Sequence, residues 1–303
     1  MAMIGGDAQQ GRPSRASGGI RWWVLLLFAG YAAFSWFGNA KTDPYTGAKA
    51  HYGASVDEEA QLGLQAFQEV LGQERPLAAS DPRAKAIEAI ARRLVDHADE
   101  VEADLAKEHA QASPGLADSF DWSVAVLDSD QANAFCLPGG KMAVYTGLLP
   151  VTQNDNAMAI VMGHEIAHAL LRHGSQRMAQ QKLVQMGQVA AGVAIGNMDP
   201  RQQQMVMAAL GAGAQYGLVL PYGRQHETQA DEVGLMLAAA ACYDPHEAIP
   251  LWQRMSQLDA GQRPPEFAST HPDPANRQQQ LQALMPRAEQ FYAKYCGGAN
   301  APR

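Results

Sequence analysis

His164-Glu165-Ile166-Ala167-His168 reads H-E-x-x-H inside an apolar, helix-patterned segment. Residues four apart share one face of a helix, so both imidazoles reach a single metal ion. Glu165 lies about 100° further around the helix, close enough to hold a water on that ion without being a ligand. Two neutral imidazoles suit zinc, and the adjacent carboxylate suits taking a proton from water. The pattern therefore predicts hydrolysis by metal-activated water. Asn154 or a neighbour is expected to cap this helix, and Gly174 to stop it just after His173.

The chain that carries this stretch has 303 residues and a formal charge of -8. That length holds one large domain or two small ones. The acidic balance, with no basic stripe, argues against a nucleic-acid partner. Alanine, glycine, glutamine and methionine are abundant and aromatics make up 7%, which favours helix over a β-sandwich. The three cysteines, Cys136, Cys242 and Cys296, show no C-x-x-C spacing, so a cysteine-based zinc site is not expected. Cys242 and Cys296 are either a disulfide or two free buried thiols.

Residues 1–21 are polar and glycine-rich and contain Arg12, Arg15 and Arg21; an apolar run follows from Trp22 to Phe37. As a helix the run spans about 24 Å, against a hydrocarbon core of about 30 Å. Trp22, Trp23 and Trp36 lie at its ends, where an interfacial aromatic belt would place them. The preceding arginines predict a cytoplasmic N-terminus and an exported remainder: a single-pass anchor in a bacterial inner membrane, with the rest in the periplasm. The alternative is a cleaved signal peptide, with Gly38-Asn39-Ala40 as a small-x-small cleavage site and a soluble periplasmic product. Residues 41–54 read as a turn-rich linker, 55–296 as the folded domain, and 297–303 as a tail.

Within the domain, Ser55-Val56-Asp57-Glu58 is a capping-box pattern, followed by an apolar stripe of Leu62, Leu64, Phe67, Val70 and Leu71. Asp81-Pro82 starts a second helix with its stripe at Ala86, Ile87, Ile90 and Leu94. The acidic stretch from His97 to His109 reads as a solvated helix face or loop. Phe120 to Leu127 and Lys141 to Thr146 alternate like strands, with a Pro138-Gly139-Gly140 turn between them. Together they predict a small antiparallel β element. Leu183 to Gly196 and Met205 to Leu220 read as helices packing through small residues and gating the cleft.

A hydrolytic zinc takes three protein ligands and keeps a position for water. The form H-E-x-x-H-x-x-G-x-x-H fails here, since Leu171 and Gly174 stand where it needs glycine and histidine; His173 reads as a helix-end histidine. The downstream segment Arg224 to Asp231 is the better source. Glu227 and Asp231 are four apart and share a face. Glu227 can ligate the metal, and Asp231 can accept the free ring N–H of a ligand histidine. Small Ala230 lets two helices approach. His226 is the rival ligand, pointing about 100° away from Glu227.

These motifs resemble the M48 family of membrane-associated zinc metallopeptidases, which carries H-E-x-x-H on one helix and E-x-x-A-D on a later one. Asn133 to Gly140 (N-A-F-x-L-P-G-G), Thr146-Gly147-Leu148-Leu149, Leu220-Pro221-Tyr222, and the H-P-x-x-x-x-R element from His271 to Arg277 are similar as well. Gly223 and Cys136 depart from the pattern, and Cys136 raises the question of redox sensitivity. The likeness covers roughly residues 50–290. It is greatest to the exported branch of bacterial quality-control proteases and the mitochondrial stress protease.

The resemblance implies a predominantly helical α+β, zincin-like (gluzincin) domain behind one N-terminal hydrophobic helix. It implies one Zn²⁺ per chain, held by His164, His168 and Glu227, with Asp231 supporting a ligand and Glu165 as the base. His271 and Arg277 are the candidates for oxyanion stabilisation, or His271 takes the fourth zinc position as a resting switch. The strand Lys141, Met142, Ala143, Val144, Tyr145 is expected to be an exposed edge that pairs with substrate backbone. The implied function is an endopeptidase acting on unfolded or damaged proteins. Its partners would be protein or peptide substrates and a membrane through the N-terminal helix, with homo-oligomerisation left open. A client-binding, chaperone-like protein with repressed proteolysis is the alternative. An intramembrane protease would need several long apolar spans, and only one is convincing here.

Overall fold

The computed structural model describes residues 20–215, 219–259, 271 and 276–297, without the side chains of Tyr222, Leu258 and Asp259. The basic tail before residue 20, the interior of the H-P-x-x-x-x-R element and the tail after residue 297 lie outside them.

The chain opens with helix α1 (Trp22–Gly38), then a short antiparallel ribbon of β1 (Lys41–Thr42) and β2 (Lys49–Ala50). Next come α2 (Val56–Gln73), α3 (Pro82–Val95), α4 (Ala98–Glu108) and α5 (Leu116–Ser119). The sheet is built from β3 (Ser123–Leu127), β4 (Ala134–Leu137) and β5 (Lys141–Tyr145). After it run α6 (Leu149–Thr152), α7 (Asp155–Leu170), α8 (His173–Ile195), α9 (Pro200–Ala214), α10 (Leu220–Ala240), α11 (Ala248–Asp259) and α12 (Arg277–Cys296). The architecture is helical with small sheets, as expected.

The starts follow local chemistry. Ser55 accepts from Glu58 N–H while the Glu58 carboxylate accepts from Ser55 N–H, a complete capping box. Asp81 caps α3 with Pro82 at its first position, and the Asn154 side chain caps α7. The buried face of α2 differs from the stripe: it is Glu59, Gly63 and Phe67, while Leu62 and Leu64 are exposed. The acidic stretch is also only half solvated. Glu102 on α4 is buried, accepting from Tyr45 Oη at 2.7 Å and from the backbone N–H groups of Leu116 and Ala117.

The sheet order is β3-β5-β4, with β3 parallel and β4 antiparallel to β5. This mixed sheet overturns one expectation. Lys141–Tyr145 is the central strand, buried at all five positions and hydrogen-bonded on both sides, so it is no exposed edge. Alternation reports which way side chains point and carries no information on strand order. Lys141 tolerates burial because its ammonium reaches the Asp121 carboxylate at 2.7 Å. On β3 the 75–77 segment covers part of the outer edge, through Leu77 N–H to Val126 O and Asp128 N–H to Arg75 O. The outer edge of β4 has no strand partner among the described residues.

The core centres on α7 and α10, which pack on each other, with β4 and α3 against α7 and α12 against α10. Cys242, just past α10, is disulfide-bonded to Cys296 at the end of α12, with Cα atoms 5.6 Å apart. On the other side α1 packs along α8, and α8 carries α9. No helix among the described residues is long and apolar enough to cross a membrane. Trp22, Trp23, Leu26, Leu27, Phe34 and Phe37 of α1 nonetheless point outward.

Candidate metal centre

α7 and α10 cross where Gly163 meets Gly234. A Cβ on Gly234 would lie 2.6 Å from the His164 backbone nitrogen, and one on Gly163 would lie 2.7 Å from the Gly234 carbonyl oxygen. Only hydrogen at both positions, with fully buried Ala230 a turn away, lets the two backbones come this close. The crossing brings His164, Glu165 and His168 of α7 against Glu227 and Asp231 of α10. Glu227 sits two turns inside α10, which begins at Leu220.

His164 Nε2 and His168 Nε2 are 3.0 Å apart. Glu227 Oε2 lies 3.3 Å from the first and Glu227 Oε1 3.5 Å from the second. His271 Nδ1 completes the group at 3.4 Å from His164 Nε2 and 3.2 Å from Glu227. All four donor atoms fall within 4.8 Å of one another. Ligand bonds of 2.0–2.1 Å at tetrahedral angles separate donor atoms by about 3.3 Å, close to the distances of 3.0–3.5 Å among His164, His168 and Glu227. Charge agrees. Glu165, Glu227 and Asp231 are buried beside one buried guanidinium, Arg277; three negative charges and one positive leave a deficit that a divalent cation cancels. The residues fit zinc.

Protonation follows the same logic. Burial works against a charge on His164, but Asp231 and Glu227 outweigh it and raise its pKa to about 9. Burial, with His164 and His173 nearby, holds His168 neutral, the ligand form. Burial also opposes charge on Glu227, yet bonding to His164 and His271 keeps it ionised. Glu165 is pushed up by burial, against the pull of His271 and His164. Its Oε1 faces His271 Nε2 at 3.5 Å and makes no hydrogen bond. A buried carboxylate with a raised pKa and a free oxygen is what a general base needs.

Asp231 stands where expected: its Oδ1 accepts from His164 Nδ1 at 3.0 Å and from Arg277 Nη2 at 2.6 Å. The Arg277 guanidinium is 1% exposed, lies 3.3 Å from the centre of the Trp252 ring and pairs with Asp231, with Glu227 at 3.6 Å. Its charge is set against both carboxylates, a contact that the sequence did not announce.

Two further histidines are part of the surroundings. α7 stops at Leu170, and Arg172 turns the chain in the left-handed region at φ 55, so Gly174 is not the stop and His173 opens α8. The turn is pinned by the Arg172–Glu59 ion pair and by Tyr52 under the guanidinium. His173 is thereby buried, with Nδ1 2.8 Å from His168 Nδ1. His226 stacks on His173 and bonds Gln176, outside the metal group. Cys136 on β4 is buried, and burial raises its thiol pKa, so it is no reactive thiolate.

The family model "Peptidase family M48" matches residues 96–285. The mitochondrial metalloendopeptidase OMA1 of Schizosaccharomyces pombe is 28% identical over 273 residues, covering 89% of this chain and 73% of that protein. The metalloendopeptidase OMA1 of Danio rerio is 33% identical over 256 residues, 81% of this chain and 49% of the relative. The β-barrel assembly-enhancing protease of Escherichia coli is 26% identical over 282 residues, 89% and 54% respectively. The chain thus spans about half the length of the latter two.

Proposed function

The chain belongs to peptidase family M48, and from that premise we propose that it is a zinc endopeptidase acting on unfolded or damaged proteins. The observation that carries this is the donor set of His164, His168, Glu227 and His271, within 4.8 Å of one another, beside the Glu165 Oε1 that makes no hydrogen bond. His164, His168 and Glu227 would hold the metal, and a zinc bound there would supply the Lewis acidity that acidifies a water and polarises the scissile carbonyl. Glu165 takes the proton and returns it to the leaving amine. Asp231 fixes the His164 tautomer, and Arg277 offsets the charge of Asp231 and Glu227. An extended peptide pairs with the outer edge of β4, which packs against α7, in place of the buried Lys141–Tyr145 strand.

Casein turnover by the full chain should stop with a chelator and return with zinc. Glu165→Gln should lower it by about 10³-fold, within the range for losing a general base, while the protein still binds metal. Undiminished turnover in that variant would remove Glu165 from the reaction. His271 stands in the corner that a water needs, so its reading is a resting plug. His271→Ala in the same series should raise turnover, whereas a fall would assign the ring to transition-state stabilisation.

We also propose that α1 seats the protein in a membrane with the catalytic domain on its oxidising side, the periplasm in a bacterium. The outward apolar side chains of α1 and the Cys242–Cys296 disulfide support this. Alkaline carbonate should leave the full chain in membranes and release a form lacking residues 1–40; release of both would remove the anchor.

A further inference from the structure

The two histidines of the H-E-x-x-H motif are supported differently. His164 donates from Nδ1 to a carboxylate on the neighbouring helix. Among the described residues His168 has no carboxylate at its Nδ1; it meets the ring of His173 at 2.8 Å. Following that contact outward leads through a continuous set of hydrogen bonds. His173 Nε2 lies 3.3 Å from Gln229 Oε1 on α10. Gln229 Nε2 donates to Thr46 Oγ1 at 3.2 Å. Thr46 Oγ1 donates to Asp43 Oδ1 at 2.9 Å. Asp43 is buried, and the same oxygen also accepts from the backbone N–H groups of Tyr45 and Thr46. The path starts on α7 and ends in the turn between β1 and β2, a segment that the sequence presents as a linker.

One proton arrangement satisfies every link. His168 turns Nε2 toward Glu227 and His164, so its ring hydrogen is on Nδ1 and is donated to His173 Nδ1. His173 must then carry its hydrogen on Nε2 and donate to the Gln229 amide oxygen. That orients the Gln229 NH₂ to Thr46, whose hydroxyl hydrogen is left for Asp43. His173, Gln229 and Thr46 each accept from the group before and donate to the group after, Asp43 only accepts, and no role conflicts. A reversed direction would need a hydrogen on His168 Nε2, where it would point at the metal position.

We propose that Asp43, Thr46, Gln229 and His173 form a relay that positions His168 for the metal, so that the turn after α1 is a working part of the site. They are positioning residues, acting through His168 and touching neither metal nor substrate. The relay does for His168 what Asp231 does for His164: it fixes the tautomer and the ring orientation. It does so without placing a fourth carboxylate beside Glu165, Glu227 and Asp231, which one arginine could not offset. The carboxylate that ends the relay is kept at a distance, within a turn whose backbone amides already hold it.

The inference rests on the zinc-site reading, and its test separates the two. The full chain is titrated with zinc against a chromophoric chelator, and the visible spectrum of the cobalt-loaded protein is recorded, for the unaltered sequence and four variants. Thr46→Val keeps the shape and removes the hydroxyl; it should weaken zinc binding by about tenfold, while Thr46→Ser should stay within about twofold, against a usual loss of 10–100-fold for a direct outer partner. His173→Leu should weaken binding by more, up to about 100-fold, and His173→Asn should recover part of it, because an amide oxygen can accept from His168 Nδ1. The cobalt bands should move in Thr46→Val and His173→Leu and stay in Thr46→Ser. Folded Thr46→Val protein that binds zinc as tightly as the unaltered chain would overturn the relay, and so would Thr46→Ser losing as much as Thr46→Val. Should His173→Leu not fold, the Thr46 pair decides alone. An unaltered chain that binds no zinc would instead sink the metal site and the relay with it.

Discussion

The two sides of the metal centre solve one problem with different chemistry. On the C-terminal side, His164 leans on Asp231, Asp231 on Arg277, and Arg277 on the Trp252 ring. On the N-terminal side, His168 leans on His173, Gln229 and Thr46 before any charge is reached at Asp43. The first is short, ionic and buried; the second is long and neutral until its end. Charge explains the difference. With a divalent cation in place, three buried carboxylates and one guanidinium already sum to zero. A further carboxylate at His168 would need its own counter-ion in a medium where an unpaired charge costs several kcal/mol. The covalent staple also sits on the ionic side, since Cys242–Cys296 ties the end of α12 to the end of α10.

This contrast sets the order of the expected effects. Asp231→Asn is the largest blow. It removes the nearer of the two carboxylates that pair Arg277, so a loss of up to about 3–5 kcal/mol of stability is expected, with Glu227 at 3.6 Å compensating part of the guanidinium charge. Zinc affinity should fall by about 10–100-fold through His164 as well. Thermal unfolding and chelator competition on the same sample check both. A variant as stable as the parent would mean that the Arg277 pair is not the prop described here. Thr46→Val should cost far less stability and act on zinc through His168 alone. Its loss and that of Asp231→Asn should therefore add within about 0.5 kcal/mol in a double variant, as independent sites do. Strong non-additivity would merge the two supports into one network.

Much of this centre was legible. H-E-x-x-H and Glu227–Asp231 are readable because a helix puts residues four apart on one face, and neither needs anything from the rest of the chain. The caps at Ser55, Asp81 and Asn154 are readable for the same local reason. What stayed hidden depends on contacts distant in sequence. The break at Arg172 carries no glycine and is held by Glu59 and Tyr52, more than a hundred residues upstream. Without that break, His173 looks like the end of α7 when it begins α8 and faces His168. The contacts of Arg277 with Trp252 and Asp231 were equally hidden, because each joins segments far apart in the chain. Lys141–Tyr145 was recognisable as a strand, but its central place follows from pairing with β3 and β4 together. Asp43 and Thr46 lie in a stretch that reads as a turn, and nothing local shows that Asp43 is buried or that Thr46 meets Gln229 of α10.

The claim on which the rest depends is that α7 and α10 share one cation through His164, His168 and Glu227. Zinc content per folded chain, measured for the purified full-length protein beside Glu227→Ala, tests it most directly. The account predicts one zinc in the first and almost none in the second, with circular dichroism showing both folded. A folded Glu227→Ala protein that keeps a full equivalent of zinc would contradict it.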